Sequence, residues 1–398
     1  MKQVLSDVVV ADFTQMMQGG WASQKLGDMG ADVIKIEPPH GELERGVRFN
    51  GEMYGEWSYG FLAKDRNKRS VALDLKSDEG YEAALDIVRE ADVVMENFRP
   101  DVMRRLGLDY ETIREVDPSI IYVSGSAYGS SGPYADRPGQ DLLYQAMTGL
   151  AANTGRAGDP PMGTGSVVVD AHSATLIALY TMYALYHREL TGEGQKIEAN
   201  LLNSAIDFQC NELTYVLNAG EDLTPSERNL GHPMFWPPYG IYETESSHIA
   251  IGMSSLTAVG ETFGSEELCA YDDDIEAIFE DRDRVHRLIE SHTVEESADR
   301  LVDMLSEADV QAVEVAELSD LEDNPQVQHN DMILEIDHPE VGTFKTAGFP
   351  VEMSESEETV RYPPPSVGEH TEDVLEEMGY SADEIRAVTG ADRSTDED

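Results

Sequence analysis

Positive charge is scarce in this 398-residue sequence: 28 Lys and Arg stand against 78 Asp and Glu, for a formal net charge of -50 and a pI near 4.3. So few cations cannot neutralise a row of phosphates, which excludes a nucleic-acid partner. The acid is spread through helical and loop segments rather than gathered in a tail. In dilute buffer such a surface repels itself and weakens the compact state, so the composition points to concentrated salt and a halophilic source. Cysteine is also scarce. Cys210 and Cys269 are too few for a disulfide framework and lack metal-ligand spacing; each is expected to be a small buried apolar residue, and no metal is expected. The opening MKQVLSDVVVADF has no long apolar core followed by a small-residue cleavage site. The most apolar long stretch, residues 171–190, is interrupted by His172, His187, Arg188 and Glu189, so no membrane span is expected and the expected location is cytoplasmic. G-x-G-x-x-G is missing after the first strand, where the chain reads DFTQMMQGG, so a dinucleotide is not the expected ligand. There is likewise no P-loop, no H-E-x-x-H and no internal repeat.

What is present is an ordinary globular composition, 40% apolar and 27% charged, in a chain long enough for two domains. The first 126 residues alternate short β-rich runs with helical patterns. Strands are expected near 8–13, 32–37, 70–75, 92–97 and 119–124, and helices near 22–29 and 77–90. Runs such as VVVA and SIIYVSG suit strands buried on both faces, hence a parallel sheet covered by helices. A glycine-bearing loop follows at 124–139, then a long helix near 171–190, the strand-like QKIEANL and a helix near 204–217. The expected fold class is α/β: a Rossmann-like, doubly wound parallel sheet in a large domain formed by residues 1–220 and 326–398, with a smaller α+β domain at 221–325. The last helix opens with Ser381 and Glu384 in capping-box spacing, and residues 391–398 are expected to fray.

Half of the basic residues, 14 of 28, fall within residues 1–105. One reading is pairing with nearby acids, preferred for Lys2, Lys25 and Arg89. The other is an anion site at the strand ends, where ligands of open α/β sheets bind. Lys76 and Arg105 are its preferred members; for Asn67, Lys68, Arg69, Arg99 and Arg104 the two readings stand level.

Six blocks carry a resemblance: DFTQMMQGGWASQKLGDMGADVIKIEPP, RNKRSVALDLK, ENFRPDVMRRLGLDY, PGQDLLYQAMTGL, VVVDAHSATLIALYTMYALYHRELTGEGQKIEANLL and GEHTEDVLEEMGY. In this order, over nearly the whole chain, they resemble the family III CoA-transferases, the formyl-CoA and carnitine-CoA transferase group (CaiB/BaiF-like) that also contains α-methylacyl-CoA racemases. The resemblance implies an enzyme, a CoA-transferase with no cofactor beyond CoA as co-substrate, working as an interlocked homodimer on acyl-CoA and small carboxylates. Asp170 matches the family's catalytic aspartate. An acid just before a long helix can also be its N-cap, and both readings can hold together: a helix N-terminus favours an ionised carboxylate, which can attack a thioester. The family's CoA contacts fall on Met16, Met17, Gln18, Leu73, Asp74, Leu75, Lys76, Asn97, Phe98, Arg105 and Leu106. Gln140, Asp141 and Tyr128 are expected at the acyl end. The match departs at Pro38-Pro39, where some relatives carry basic residues, and Arg45 is a candidate to compensate.

The related racemases need an acid/base pair, with a histidine where this chain has Gln140 and a glutamate where it has Ser254-Ser255. A glutamine cannot shuttle a proton, so transfer is preferred over racemisation, and over a non-catalytic acyl-CoA-binding protein. Among substrates, succinyl-CoA as donor and a small dicarboxylate such as mesaconate as acceptor are expected. Ser126, Tyr128, Ser130, Ser131, Arg137, Arg45 or Arg48 are candidates for the distal carboxylate. Formyl-CoA with oxalate is an alternative, as is a carnitine-type substrate, for which Trp236 and Tyr239 offer aromatic faces. His172 is expected to shape the pocket rather than react, while His232 and Trp236 are expected either to close over the acyl group or simply to pack.

Overall fold

A computed structural model describes residues 3–389; the expected frayed end at 391–398 lies outside them. The chain divides into two compact units. The first comprises Met1–Asp141, Val167–Ala205 and Pro325–Asp398; the second comprises Leu142–Ser166 and Ile206–Asn324. Relative to the expected boundaries, the second unit also takes 142–166 and starts at 206 rather than 221.

The first unit is built on six parallel strands: β1 Val9–Asp12, β2 Asp32–Glu37, β3 Lys68–Ala72, β4 Val93–Glu96, β5 Ile121–Ser126 and β6 Gln195–Asn200. Their order is β3-β2-β1-β4-β5-β6, with Val10 of β1 opposite Val33 of β2 on one side and Val93 of β4 on the other. Alternate residues enter separate cores, as a sheet covered on both faces demands. Ile34, Ile36 and Val71 face Ala83, Ala84 and Ile87 of helix α3 (Asp78–Glu90), together with Val374 and Leu375 from the C-terminal part. Val33, Met95 and Val123 face Ala22 and Leu26 of helix α1 (Met16–Asp28) and Ala174 and Ile177 of the long helix Val168–Thr191. The expected doubly wound sheet is therefore present.

Helix α1 begins six residues earlier than expected. Its first turns carry Gly19 and Gly20 in place of an apolar stripe, and a Cβ on Gly19 would sit 2.2 Å from that of Thr14; close backbone approach, not amphipathic pattern, seats this end. The long helix is apolar and long enough to cross a membrane by length and composition. Here Val169, Ser173, Ala174, Ile177, Thr181, Ala184 and Leu185 give it a buried face. A C-terminal hairpin, Ile333–His338 with Gly342–Ala347, packs Ile336 and Phe344 on Trp57, Phe61 and Leu62. This fixes the short helix α2 (Tyr59–Lys64). The last helix, Ala382–Thr389, has its expected capping box: Ser381 N–H donates to Glu384 Oε2 at 2.8 Å and Glu384 N–H to Ser381 Oγ at 3.4 Å.

The second unit has a three-stranded antiparallel sheet, Gly240–Glu243, His248–Ile251 and Ala312–Glu314. It packs on helices including Arg282–Thr293 and Ala298–Glu307 through Tyr242, Ile249, Ile251, Val285, Ile289, Leu301 and Leu305. Cys210 and Cys269 are free thiols; Cys210 is exposed and Cys269 only half-buried. The expectation that both are buried is corrected: Cys210 opens the helix Cys210–Ala219, none of whose residues is buried within this chain.

Candidate active site

The strand order reverses between β1 and β4, and in open α/β sheets that switch point is where ligands bind. Residues from both strand ends lock together there. Gln15 N–H donates to Asn97 Oδ1 and Asn97 Nδ2 to the Gln15 carbonyl, both at 2.8 Å. Met16, just beyond, has φ 59, a left-handed conformation that costs an L-residue energy and is retained where the surroundings demand it. Gly125, from β5, closes the other side: a Cβ there would lie 2.8 Å from Gln18 Oε1 and 3.1 Å from Asn97 Cβ. Gln18 is buried and donates to Ser173 Oγ at 2.8 Å, which ties the switch point to the first turns of the long helix.

Asp170 sits in that first turn, as its third residue. It is not the N-cap: Val167 holds that position and makes no side-chain cap bond. The capping oxygen comes from Asp141, whose Oδ2 accepts from Val169 N–H at 2.8 Å and Asp170 N–H at 2.9 Å. The expectation that the helix terminus keeps Asp170 readily ionised is therefore corrected. Asp141 takes two of the N–H donors at the helix start, and Asp170 is left largely buried, with the charges of Asp141 and Glu44 acting on it. Its pKa is pushed up to about 7, chiefly by burial, then by Asp141 and Glu44, with Lys64 pulling the other way. A carboxyl titrating near neutrality is at once a usable nucleophile and a tolerable leaving group.

Beneath the start of α1 lies a buried ionic network. Asp12 accepts from Thr14 N–H at 2.9 Å and Ser23 Oγ at 2.6 Å. Lys68 pairs with Asp65 at 2.6 Å and Asp12 at 3.4 Å; Lys35 lies 3.6 Å from Asp65 and 3.9 Å from Glu42. Glu42 Oε2 accepts from Glu44 N–H at 2.9 Å and Met16 N–H at 3.3 Å. Oxygens of Glu42, Glu44 and Asp65 come within 4.8 Å of one another, a spacing that would suit a metal. Lys35, Lys64 and Lys68 already set ammonium groups against these carboxylates, so the cluster supplies its own cations.

This network accounts for much of the N-terminal clustering of basic residues and corrects part of the anion-site reading. Lys68 is fully buried among acids. Asn67 donates to Asp28 and the Thr359 carbonyl, both at 2.7 Å. Arg69 is held by Asp32 at 2.5 Å and Glu377 at 2.8 Å, and Arg104 by Asp101 at 2.9 Å. Arg45 is likewise committed: it makes two bonds to Glu37, donates to the Pro365 carbonyl and lies 3.8 Å over the Phe61 ring. It is removed from the candidates for either phosphate or distal carboxylate. Among the described residues, Lys76 and Arg99 are exposed without an acidic partner, and exposed Arg105 bonds only the Asp101 carbonyl, at 3.3 Å. These cations follow β3 and β4, on the ligand edge of the sheet.

The remaining expected contacts divide by burial. Met17, Phe98, Leu75 and Leu106 are half-buried along the same edge. Leu73 is wholly buried, so it has only main chain to offer. Asp74 is spent on a turn, accepting from Lys76 N–H at 3.0 Å. Tyr128 is half-buried, edge-on to Tyr134 at 5.6 Å, and Gln140 is exposed next to Asp141. His172 is half-buried in the second turn of the long helix. In the second unit, His232 meets Glu212 at 2.8 Å, packs on Phe235 and lines a cavity of about 630 Å³ with Arg228, Asn153 and Thr164. Trp236 packs against that unit's core, while Tyr239 meets Phe235 edge-on. Sequence reasoning missed Glu44 and Lys64, which no block pattern marks; only the packing of α2 on the turn Leu43–Gly46 brings them together.

Comparisons with known proteins bear on the family and the fold. The family model described as CoA-transferase family III matches residues 5–371. The chain is 33% identical over 388 residues to a succinyl-CoA:mesaconate CoA-transferase of Haloarcula hispanica, covering 94% of this chain and 96% of that one. It is 32% identical to a succinate–glutarate CoA-transferase of Agrobacterium fabrum, covering 95% and 96%. A crystal structure of a CaiB/BaiF family protein from Brucella suis superimposes with a TM-score of 0.82 at 27% identity, over 95% of this chain and all of that one.

Proposed function

The chain belongs to CoA-transferase family III, and from that premise we propose that it carries CoA from succinyl-CoA to a small dicarboxylate such as mesaconate, with Asp170 as nucleophile. The observation that carries this reading is the placement of Asp170: a mostly buried carboxyl whose pKa is raised to about 7, on the helix that Gln18 ties to the switch point. The ionised Asp170 attacks the thioester carbonyl and expels CoA thiolate, giving a mixed anhydride. The thiolate attacks the Asp170 carbonyl, releasing succinate and leaving an aspartyl-CoA thioester. The acceptor carboxylate then attacks that carbonyl and expels the thiolate, which attacks the acceptor's acyl carbon and frees Asp170. One thioester is exchanged for another, so the sequence needs neither metal nor nucleotide.

Names of the relatives support the dicarboxylate assignment: two of them act on C4 and C5 diacids. Arg48, exposed on the loop after the turn Leu43–Gly46, and Arg137, whose guanidinium lies 3.9 Å over the Tyr134 ring, remain as candidates for the distal carboxylate, because burying it unpaired is costly. The test pairs two measurements at high salt. Incubation with succinyl-CoA followed by peptide mass spectrometry should find a CoA adduct on Asp170, and Asp170→Ala should lose turnover. In a panel of donors and acceptors, C4–C5 diacid pairs should give the highest kcat/KM. An Asp170→Ala enzyme with near-normal rates sinks the mechanism; a tenfold preference for oxalate or carnitine sinks the substrate alone.

A further inference from the structure

Every polar main-chain group from Thr14 N–H to Met16 N–H, at the switch point, is held by a side chain. Thr14 N–H donates to Asp12 Oδ1 at 2.9 Å, and the Thr14 carbonyl accepts from Lys35 Nζ at 3.1 Å. Asn97 takes both polar groups of Gln15, and Met16 N–H donates to Glu42 Oε2 at 3.3 Å. Asp12, Lys35 and Glu42 are all buried. The turn ends on left-handed Met16, a conformation that persists only where its surroundings over-determine it. Glu42 arrives from beyond β2, and its own N–H is anchored on Glu37 Oε2 at 3.0 Å. Its evident duty is to cap the turn Leu43–Gly46, by accepting from Glu44 N–H at 2.9 Å. That cap does not require the second bond, to Met16.

We propose that Glu42 is a positioning residue for the transfer: its carboxylate fixes the turn at Met16, and the turn fixes Asp170 through Gln18. The route is a chain of hydrogen bonds. Met16 opens α1. Gln18, two residues on and buried, donates to Ser173 Oγ at 2.8 Å. Ser173 lies three residues past Asp170 in the same helix. Without Glu42 the turn is free to leave its left-handed state, and Gln18 then loses its fixed hold on the start of the long helix. A nucleophile displaced by about 1 Å can lose roughly 100-fold in rate.

This inference rests on Asp170 being the nucleophile, and the experiment separates the two. Two conservative variants divide the roles of Glu42. Glu42→Asp keeps the charge facing Lys35 and caps a turn equally well, but it is one methylene too short to reach Met16 N–H. Glu42→Gln keeps the reach and an acceptor oxygen but loses the charge. Both are measured in molar salt, per folded enzyme, with the donor–acceptor pair that turns over best, each with and without Ser173→Ala. Glu42→Asp should lower kcat roughly tenfold and change the acceptor KM less than about twofold, while Glu42→Gln stays within about threefold of the wild type. Ser173→Ala cuts the link to the long helix, so in that background the gap between the two variants should close. A residue that served only as a cap or an ion-pair partner would give the reverse order, with Glu42→Asp the more active. That order, equal rates, or a gap that Ser173→Ala leaves unchanged overturns the inference while Asp170→Ala remains inactive. Activity in Asp170→Ala overturns the mechanism itself.

Discussion

Asp170 carries a cost that follows from its position. Its folded pKa of about 7 lies above the roughly 3.9 of an unfolded aspartate. The folded state therefore binds this proton more tightly, and the contribution to stability is fully present below pH 4 and lost as pH rises through 7. Asp170→Asn, which mimics the protonated form, should be inactive yet more stable than the wild type at pH 8, by roughly 1–3 kcal/mol. Denaturant unfolding in molar salt at pH 8 and pH 5 checks this; the gain should shrink at the lower pH, and a destabilised variant at pH 8 would contradict it. Asp141 exerts the opposing influences of a cap and a neighbouring charge. Asp141→Asn keeps a capping oxygen and should cost little stability, yet shift the acid limb of kcat/KM to lower pH. At this scale the block VVVDAHSA pointed to Asp170, but its environment was not legible. Capping by Asp141 from 29 residues upstream, and the approach of Glu44 and Lys64, are tertiary facts with no local signature.

Strands and helices were easier to read than the joints between them. Runs such as VVVA revealed a sheet covered on both faces because only buried strands can be apolar throughout. The start of α1 was misplaced, since DFTQMMQGG has no helical stripe and its glycines serve contact with Thr14. The clustered basic residues were the larger surprise: charge counts cannot tell a lysine that awaits a phosphate from one that neutralises Asp12 and Asp65. Gly125 is a joint whose role can be tested. Gly125→Ala would push a methyl into Gln18 and Asn97, residues that link β1, β4 and the long helix. The KM for acyl-CoA should rise severalfold with a smaller effect on melting temperature; an unchanged KM would show that the switch point tolerates the shift.

For the molecule as a whole, 50 excess negative charges imply dependence on salt, since a Debye length of roughly 3 Å at 1 M screens most of the repulsion. Dialysis into dilute buffer should reduce activity and near-ultraviolet circular dichroism together; full activity there would refute this. The family resemblance implies an interlocked homodimer. The long helix leaves Leu179, Tyr180, Tyr183, Tyr186 and Leu190 exposed along one side, an apolar row of the kind that marks a protein contact. Light scattering in high salt should give twice the 43.9 kDa chain mass, and Tyr183→Asp should shift the population toward monomer. The buried network has a further consequence, one of chemical hygiene. Thioesters acylate amines without an enzyme's help, and a protein that holds them for a living is exposed to its own substrate. Of this chain's lysines, Lys35, Lys64 and Lys68 are sealed inside and Lys25 is half-buried, so the described surface offers only Lys76, Lys196 and Lys345 as open targets. Withdrawing its amines into the core leaves the enzyme few places to be modified by accident.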